Sequence, residues 1–370
     1  MELATLSKKY GEFFAPAFSI RVGADDLIRD ALVAISQVEC DLVLGAAGRF
    51  SFTVGHAYSI EKRAFYTGRG KNLLDLLTFG AEVDIYMGYG DARAMPRIAS
   101  GLITEITTNF PESGTPELSI AGYDHAFPLT NGKSTRTWQK ARDSDAVAEI
   151  ASFHNLNAKI EKTQEQHAQI EQNNESDFEF LKKLADRNHF ELFVDEQRTL
   201  HFHKPSDKSD AVVRLAWGEG LLTFKPEANL AGQISKVEVR GWNPKTKETI
   251  VGTATAGEES GLDGKSSSAG NRLKRFVKDS KKQPTLRLRQ PVFTQSEANA
   301  RAKAALNEKA KQFLTGDAEA LGLPEIRPDR NVQLDNLGAL FSKTYYVQQA
   351  THKVDGNGYR TRFKVKETAL

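Results

Sequence analysis

Apolar side chains at Val38, Cys40, Leu42 and Leu44 alternate with polar positions that include Glu39 and Asp41. A period of two is the mark of a strand with one face in a core and the other in water. Phe50, Phe52 and Val54 continue the pattern against Arg49, Ser51 and Thr53. Val83, Ile85 and Met87 repeat it against Glu82, Asp84 and Tyr86, ahead of the turn Gly88-Tyr89-Gly90-Asp91. Two further strand patterns, at 101–110 and 117–121, flank a segment of Pro, Ser and Gly at 111–116 with the chemistry of a hairpin loop. Strands this closely spaced, with turn signals between them, predict a β-barrel or sandwich over residues 1–125.

The period changes in the middle of the chain. Asp143 or Ser144 can cap a short helix over 144–154, with Val147, Ile150 and Ala151 on one side. Ser176 and Glu179 have the spacing of a capping box, and Phe178, Leu181, Leu184 and Ala185 behind them form an apolar stripe at helical spacing. Segments 192–194 and 200–202 flank Asp195–Arg198 as a hairpin, so 126–226 is expected to be a small α+β domain with helices near 144–154 and 176–188. Strand patterns return at Ile234, Val237 and Val239. Residues 253–282 are rich in Gly, Ser and Lys and nearly devoid of apolar side chains, which reads as a mobile loop or insertion. A second Thr294/Glu297 capping box starts a helix predicted to run to about residue 314, with Ala302, Leu306, Ala310 and Phe313 along one face, packed on the second β-region. Strands at 345–354 and 359–365 enclose Asp355-Gly356-Asn357-Gly358, a hairpin turn.

The segments 101–120 and 344–365 echo one another: each is a long strand, a Gly-containing turn and a returning alternating strand at the end of its β-region. The echo suggests two β-domains built alike. Domain limits of 1–125, 126–226 and 227–370 follow, the last with an insertion near 253–290 and a helix near 295–314.

Composition narrows the chemistry. Fifty basic and 48 acidic residues give a net charge of +2, which argues against a polyanion-binding protein. The single cysteine, Cys40, excludes an intrachain disulfide and a four-cysteine zinc site. The N-terminus has no apolar run after its lysines to serve as a secretory signal, and no stretch approaches the ~20 apolar residues that span a bilayer, so synthesis and folding in the cytoplasm are expected. Of the eight histidines, His201 and His203 share one face of a strand and are candidate metal ligands without a visible third. The Gly68-Arg69-Gly70-Lys71 run fails the phosphate-loop pattern, because Asn72 follows the lysine and Phe65 stands where a glycine is required. Trp138, Trp217 and Trp242 read as core. Neither a nucleophile elbow nor a tuned carboxylate pair is present, so no enzyme, catalytic residue or cofactor is expected.

Residues 100–129 (SGLITEITTNFPESGTPELSIAGYDHAFPL) resemble the phage late control protein D and VgrG-like baseplate hub family, with its glycine-led strand, hairpin and closing Gly122-Tyr123-Asp124. Phe79–Ile85 with Gly88-Tyr89, the stretch QNNESDFEFLKKLADRNHF at 172–190, and the closing set Val332-Gln333-Leu334, Tyr345-Tyr346-Val347, His352 and Gly358–Phe363 are similar to that family in order and spacing. Pro328-Asp329 departs from it where Pro-Gly is usual, and Lys343-Thr344 where a glycine precedes the tyrosine. The resemblance implies a β-rich α+β fold: two tube-protein-like β-barrel domains with an intervening small α+β domain. It implies a structural homotrimer in a phage tail or contractile injection particle. Its partners would be hexameric inner-tube proteins, a spike on a separate chain and other baseplate proteins, with no nucleic acid and no stable membrane association. Packing roles are expected for Val38, Leu42, Phe52, Ile85, Phe178, Leu181, Leu184, Leu306, Phe313, Tyr346 and Val347. The rival readings are a β-rich cell-wall glycan hydrolase and a nucleic-acid-binding regulator.

Overall fold

The computed structural model describes every residue except 92–93, 208, 244–246, 260–267, 280–281 and 293. Helix α1 (Leu3–Lys9) opens the chain. It is followed by β1 (Pro16–Val22), the two-residue β2 (Asp25–Asp26), β3 (Ala34–Val43), β4 (Arg49–Gly55) and the short pair β5 (Tyr58–Ser59) and β6 (Ala64–Phe65). Strands β7 (Glu82–Tyr89), β8 (Arg97–Asn109) and β9 (Glu117–Asp124) complete the first unit, hydrogen-bonded in the order β1-β7-β8-β9-β4-β3. The alternation in sequence becomes alternation of burial: Val38, Cys40, Phe50, Phe52, Val83 and Ile85 are all buried. In the β8–β9 hairpin a Cβ on Gly101 would overlap the Tyr123 carbonyl, and one on Gly122 the Leu102 carbonyl. Only glycine permits this approach, and together with the register shift between Ile103 and Glu105 it bends the hairpin.

The middle of the chain folds on its own core. Helix α2 (Phe127–Thr130), β10 (Ser134–Arg142), α3 (Asp143–Phe153), β11 (Asn157–Ile160), β12 (Gln166–Glu175), α4 (Asp177–Asn188), β13 (Glu191–Val194) and β14 (Thr199–His203) follow in order. β10 and β12 form an antiparallel ribbon, and β11, β14 and β13 a three-stranded sheet. The predicted capping box forms: Ser176 Oγ accepts from the Glu179 N–H at 3.1 Å, and Glu179 Oε2 accepts from the Ser176 N–H at 2.8 Å. Leu181 and Leu184 are buried, while Phe180 takes the central aromatic place, stacked on Trp138 at 5.2 Å.

The second β-unit begins with β15 (Ala211–Trp217) and β16 (Gly220–Ala228). The chain then leaves it for β17 (Lys236–Asn243), β18 (Glu248–Thr255), α5 (Ala269–Phe276), β19 (Thr285–Arg289) and α6 (Gln295–Ala310). It returns as β20 (Leu314–Leu321), β21 (Asn331–Asp335), α7 (Gly338–Phe341), β22 (Lys343–Asp355) and β23 (Gly358–Glu367). The order β22-β21-β15-β16-β20-β23 closes on itself, because β23 pairs back with β22, making a six-stranded barrel. Helix α6 does not pack on this barrel as expected. It covers the small β18-β17-β19 sheet, where Val237, Val239, Ala302 and Leu306 form a separate core. Gly252 makes the contact possible, since a Cβ there would overlap the backbone of Ala298. The helix also stops at Ala310, and Phe313 turns into the main core. Within 253–282, read from sequence as loop, Ala269–Phe276 is helical, capped by Ser268 and anchored by buried Ala269 and Leu273. Residues 260–267 and 280–281 of that segment lie outside the described residues.

The two β-units share a strand order: β1-β7-β8-β9-β4-β3 in the first matches β15-β21-β22-β23-β20-β16 in the second. Register irregularities coincide as well. The shift at Ile103/Glu105 matches that at Val347/Gln349, and the shift at Ile35/Gln37 matches that at Leu221/Thr223. The units differ in that β1–β7 is antiparallel and β15–β21 parallel. In addition, β15–β16 pairing closes the second unit, while β1 and β3 do not pair among the described residues. The units are joined edge to edge, with β22 pairing antiparallel to β3 from Gln349↔Val43 to Val354↔Val38. At this joint the Gln349 amide and the Thr351 hydroxyl donate to Asp41 at 2.8 and 2.9 Å. Helix α1 reinforces it: Leu6 is fully buried, and the N-terminal ammonium donates to the Val212 carbonyl at 2.8 Å.

Candidate functional site

A cavity of about 510 Å³ opens where the two β-units and the α+β unit meet. Leu42, Gly48 and Ser100 line it from the first unit, His201 and His203 from β14, and Arg327 and Asp329 from the loop before β21. Arg327 ties all three together: its guanidinium lies 2.6 Å from Glu196 and donates to the Arg97 carbonyl at 2.7 Å.

The structure brings His201 and His203 to one face, 5.5 Å apart between ring centres, with Phe193 stacked on His201. They do not converge on a common point. His201 Nε2 lies 2.8 Å from Asp195, and its Nδ1 is buried without a partner among the described residues. His203 Nδ1 donates to the Lys204 carbonyl at 2.7 Å, and its Nε2 faces Asp329 at 3.6 Å. No cluster of three or more His, Cys, Asp or Glu side chains suited to a metal occurs among the described residues.

Asp329 is the residue that sequence reasoning flagged only as a departure. Its φ is +60°, the left-handed region a glycine would occupy, and its carboxylate accepts from Ser206 N–H at 2.9 Å, Ser206 Oγ at 2.8 Å and Tyr346 Oη at 2.8 Å. Asp124, which ends the Gly122-Tyr123-Asp124 motif, plays a similar part. It accepts from the Gly48 and Ala126 N–H groups at 2.7 and 2.8 Å. Burial pushes its carboxyl up to about 7, against the pull of those two donors.

His125, which showed no nucleophile beside it in sequence, lies 3.0 Å through Nε2 from Ser100 Oγ, both side chains buried. Burial holds its imidazolium below the usual range. A catalytic dyad also needs a group orienting the base, and no hydrogen bond to His125 Nδ1 is found among the described residues. Twenty-five residues separate the pair, so only the β8–β9 register reveals it.

The remaining flagged side chains distribute among the cores. Val38, Phe52, Ile85, Phe313 and Val347 are buried in the main core, with Leu42 half-buried at the cavity wall. Leu181 and Leu184 lie in the α+β core with Phe178 at its margin, Leu306 lies on the buried face of α6 against the small sheet, and Tyr346 is buried on Asp329. Trp138 is in a core, whereas Trp217 and Trp242 are exposed.

Two strand edges stay open. On the side away from β9, residues 105–109 of β8 have no backbone partner among the described residues, and neither do residues 222–228 of β16 on the side away from β20.

A family model described as the Alg8 N-terminal domain matches residues 72–356. The chain belongs to that family. No curated protein matches. Among solved structures, the fold is similar to the prophage MuSo2 43 kDa tail protein from Shewanella oneidensis, at TM-score 0.70 and 14% identity over 95% of this chain and 98% of that one. A tail protein from Neisseria meningitidis MC58 aligns at TM-score 0.67 and 13% identity, over 96% and 97% of the two chains. The E. coli c3393 protein, described as a type VI secretion component with structural similarity to the T4 tail proteins gp27 and gp5, aligns at 0.54 and 12% identity, over 94% and 76%. These likenesses establish a fold shared with phage tail proteins, β-rich and tube-protein-like as expected. No helix among the described residues is long and apolar enough to cross a membrane.

Proposed function

We propose that this chain is a structural hub that adapts a hexameric inner tube to a trimeric spike in a phage tail or contractile injection particle. The observation that carries the reading is the repetition of one strand order, with its bulges, in two β-units of a single chain. Three chains then supply six near-equivalent units. Such a ring offers a sixfold surface to a tube while keeping the threefold symmetry a spike needs. The likeness to tail proteins, and to a secretion component resembling gp27 and gp5, supports this setting. A spike and other baseplate proteins would complete the assembly.

The junction cavity fits this role as a brace. Arg327, Asp329 and Asp124 tie strands and loops across it, and rigid relative placement of the units is what a ring requires. The rival hydrolase reading would have to rest on the Ser100–His125 pair, which lacks a group to orient the base. Replacing Ser100 with Ala separates the two: a brace keeps its assembly with no change in peptidoglycan turnover, whereas a hydrolase loses measurable activity. Native mass and particle symmetry test the hub directly.

A further inference from the structure

The joint inside the chain gives a template for the joint between chains. In it, the far half of β22 pairs with β3, and Thr351 and Asp41 lie opposite one another and hydrogen-bond at 2.9 Å. The matched bulges fix the correspondence residue by residue. Aligning Val347/Gln349 with Ile103/Glu105 places Thr107 at the position of Thr351. Aligning Ile35/Gln37 with Leu221/Thr223 places Glu227 at the position of Asp41. A threonine and a carboxylate therefore recur at both positions. Thr351 and Asp41 are half-covered by their joint, while Thr107 and Glu227 are exposed on the two open edges.

Resting on the hub reading, we propose that β8 of one copy pairs antiparallel with β16 of the next, in the register that puts Thr107 opposite Glu227, Asn109 opposite Lys225 and Phe110 opposite Phe224. Pairing satisfies the backbone donors and acceptors that each edge leaves open. Each copy contributes one edge of each kind, so the contact is heterologous and closes after three copies, where six β-units complete the circle.

The test is a thiol cross-link in the full chain, since the native Cys40 is buried. Thr107→Cys/Glu227→Cys, oxidised with copper phenanthroline, is expected to give disulfide-linked trimers. Thr107→Cys/Lys225→Cys should give less by on the order of tenfold, because the diagonal separation of about 7 Å exceeds the roughly 3.5–4.5 Å between Cβ atoms that a disulfide needs. Native mass of the untreated wild type reads the hub separately. A native trimer in which the offset pair, or neither pair, links would overturn the register and leave the hub standing. A native monomer or dimer at every concentration would overturn both.

Discussion

Asp329 occupies a left-handed backbone position while its carboxylate holds Ser206 and Tyr346. Aspartate tolerates that φ better than most residues, but at a cost that glycine would avoid. Asp329→Gly should therefore relax the backbone yet strand two hydroxyls and an N–H near the junction. The net loss expected is about 2–4 kcal/mol, with Asp329→Ala worse than Asp329→Gly because alanine adds strain to the same loss. Urea denaturation of the two variants checks the order. His352 is fully buried between Ile326 and Tyr359: Nε2 donates to the Ile326 carbonyl at 3.0 Å, and Nδ1 accepts from the Tyr359 hydroxyl at 2.8 Å. Burial depresses its folded pKa to about 3, against the ordinary value of 6.5. The unfolded chain thus takes up the proton first, and this group removes stability as pH falls from 6.5 toward 3, with a slope approaching about 1.4 kcal/mol per pH unit. His352→Gln should be less stable at neutral pH and show a shallower acid limb. An acid limb as steep as that of the wild type would assign the effect elsewhere.

Among the elements, the β8–β9 hairpin depends on Gly122, whose missing Cβ lets Leu102 approach. Gly122→Ala forces that pair apart, and thermal unfolding should show a severe loss or insoluble protein. Ser176→Ala removes one half of a formed capping box and should cost about 1 kcal/mol, because α4 keeps its buried stripe. Both features were legible in the sequence, as was the period of two in β3, β4 and β7, because each buries one face against a single core. The polar ribbon of β10 and β12 was not legible, since Trp138 and Ile170 are the only apolar residues buried along it and the third buried position, Gln172, is polar. Helix α5 carries no sequence signature for a similar reason: Ala269, Leu273 and Ser268 suffice to seat it, too few for a helical stripe. The placement of α6 depended on a partner, the β18-β17-β19 sheet, whose separateness is a matter of strand pairing and has no local signal. The same holds for the cavity, assembled from strands and loops far apart in the chain.

At the scale of the whole molecule, the terminal hairpin echo seen in sequence extends to six strands and two bulges on each side. Register cannot be read from alternation alone, because period two is unchanged by sliding a strand two residues. The insertion between β16 and β20 occupies the place of the short β3–β4 turn in the first unit, so it enlarges one face without disturbing the strand order. Removing it across the Asn229–Phe313 hydrogen bond and joining the strands by a short turn should leave a folded barrel that assembles with an unchanged number of copies. The central claim is a threefold ring of paired β-units, and symmetry-resolved imaging of the purified protein, with its native mass, tests it most directly. The account predicts three times the mass of one chain and six near-equivalent β-units around a central channel. A stable dimer, or single copies within the assembled particle, would contradict it.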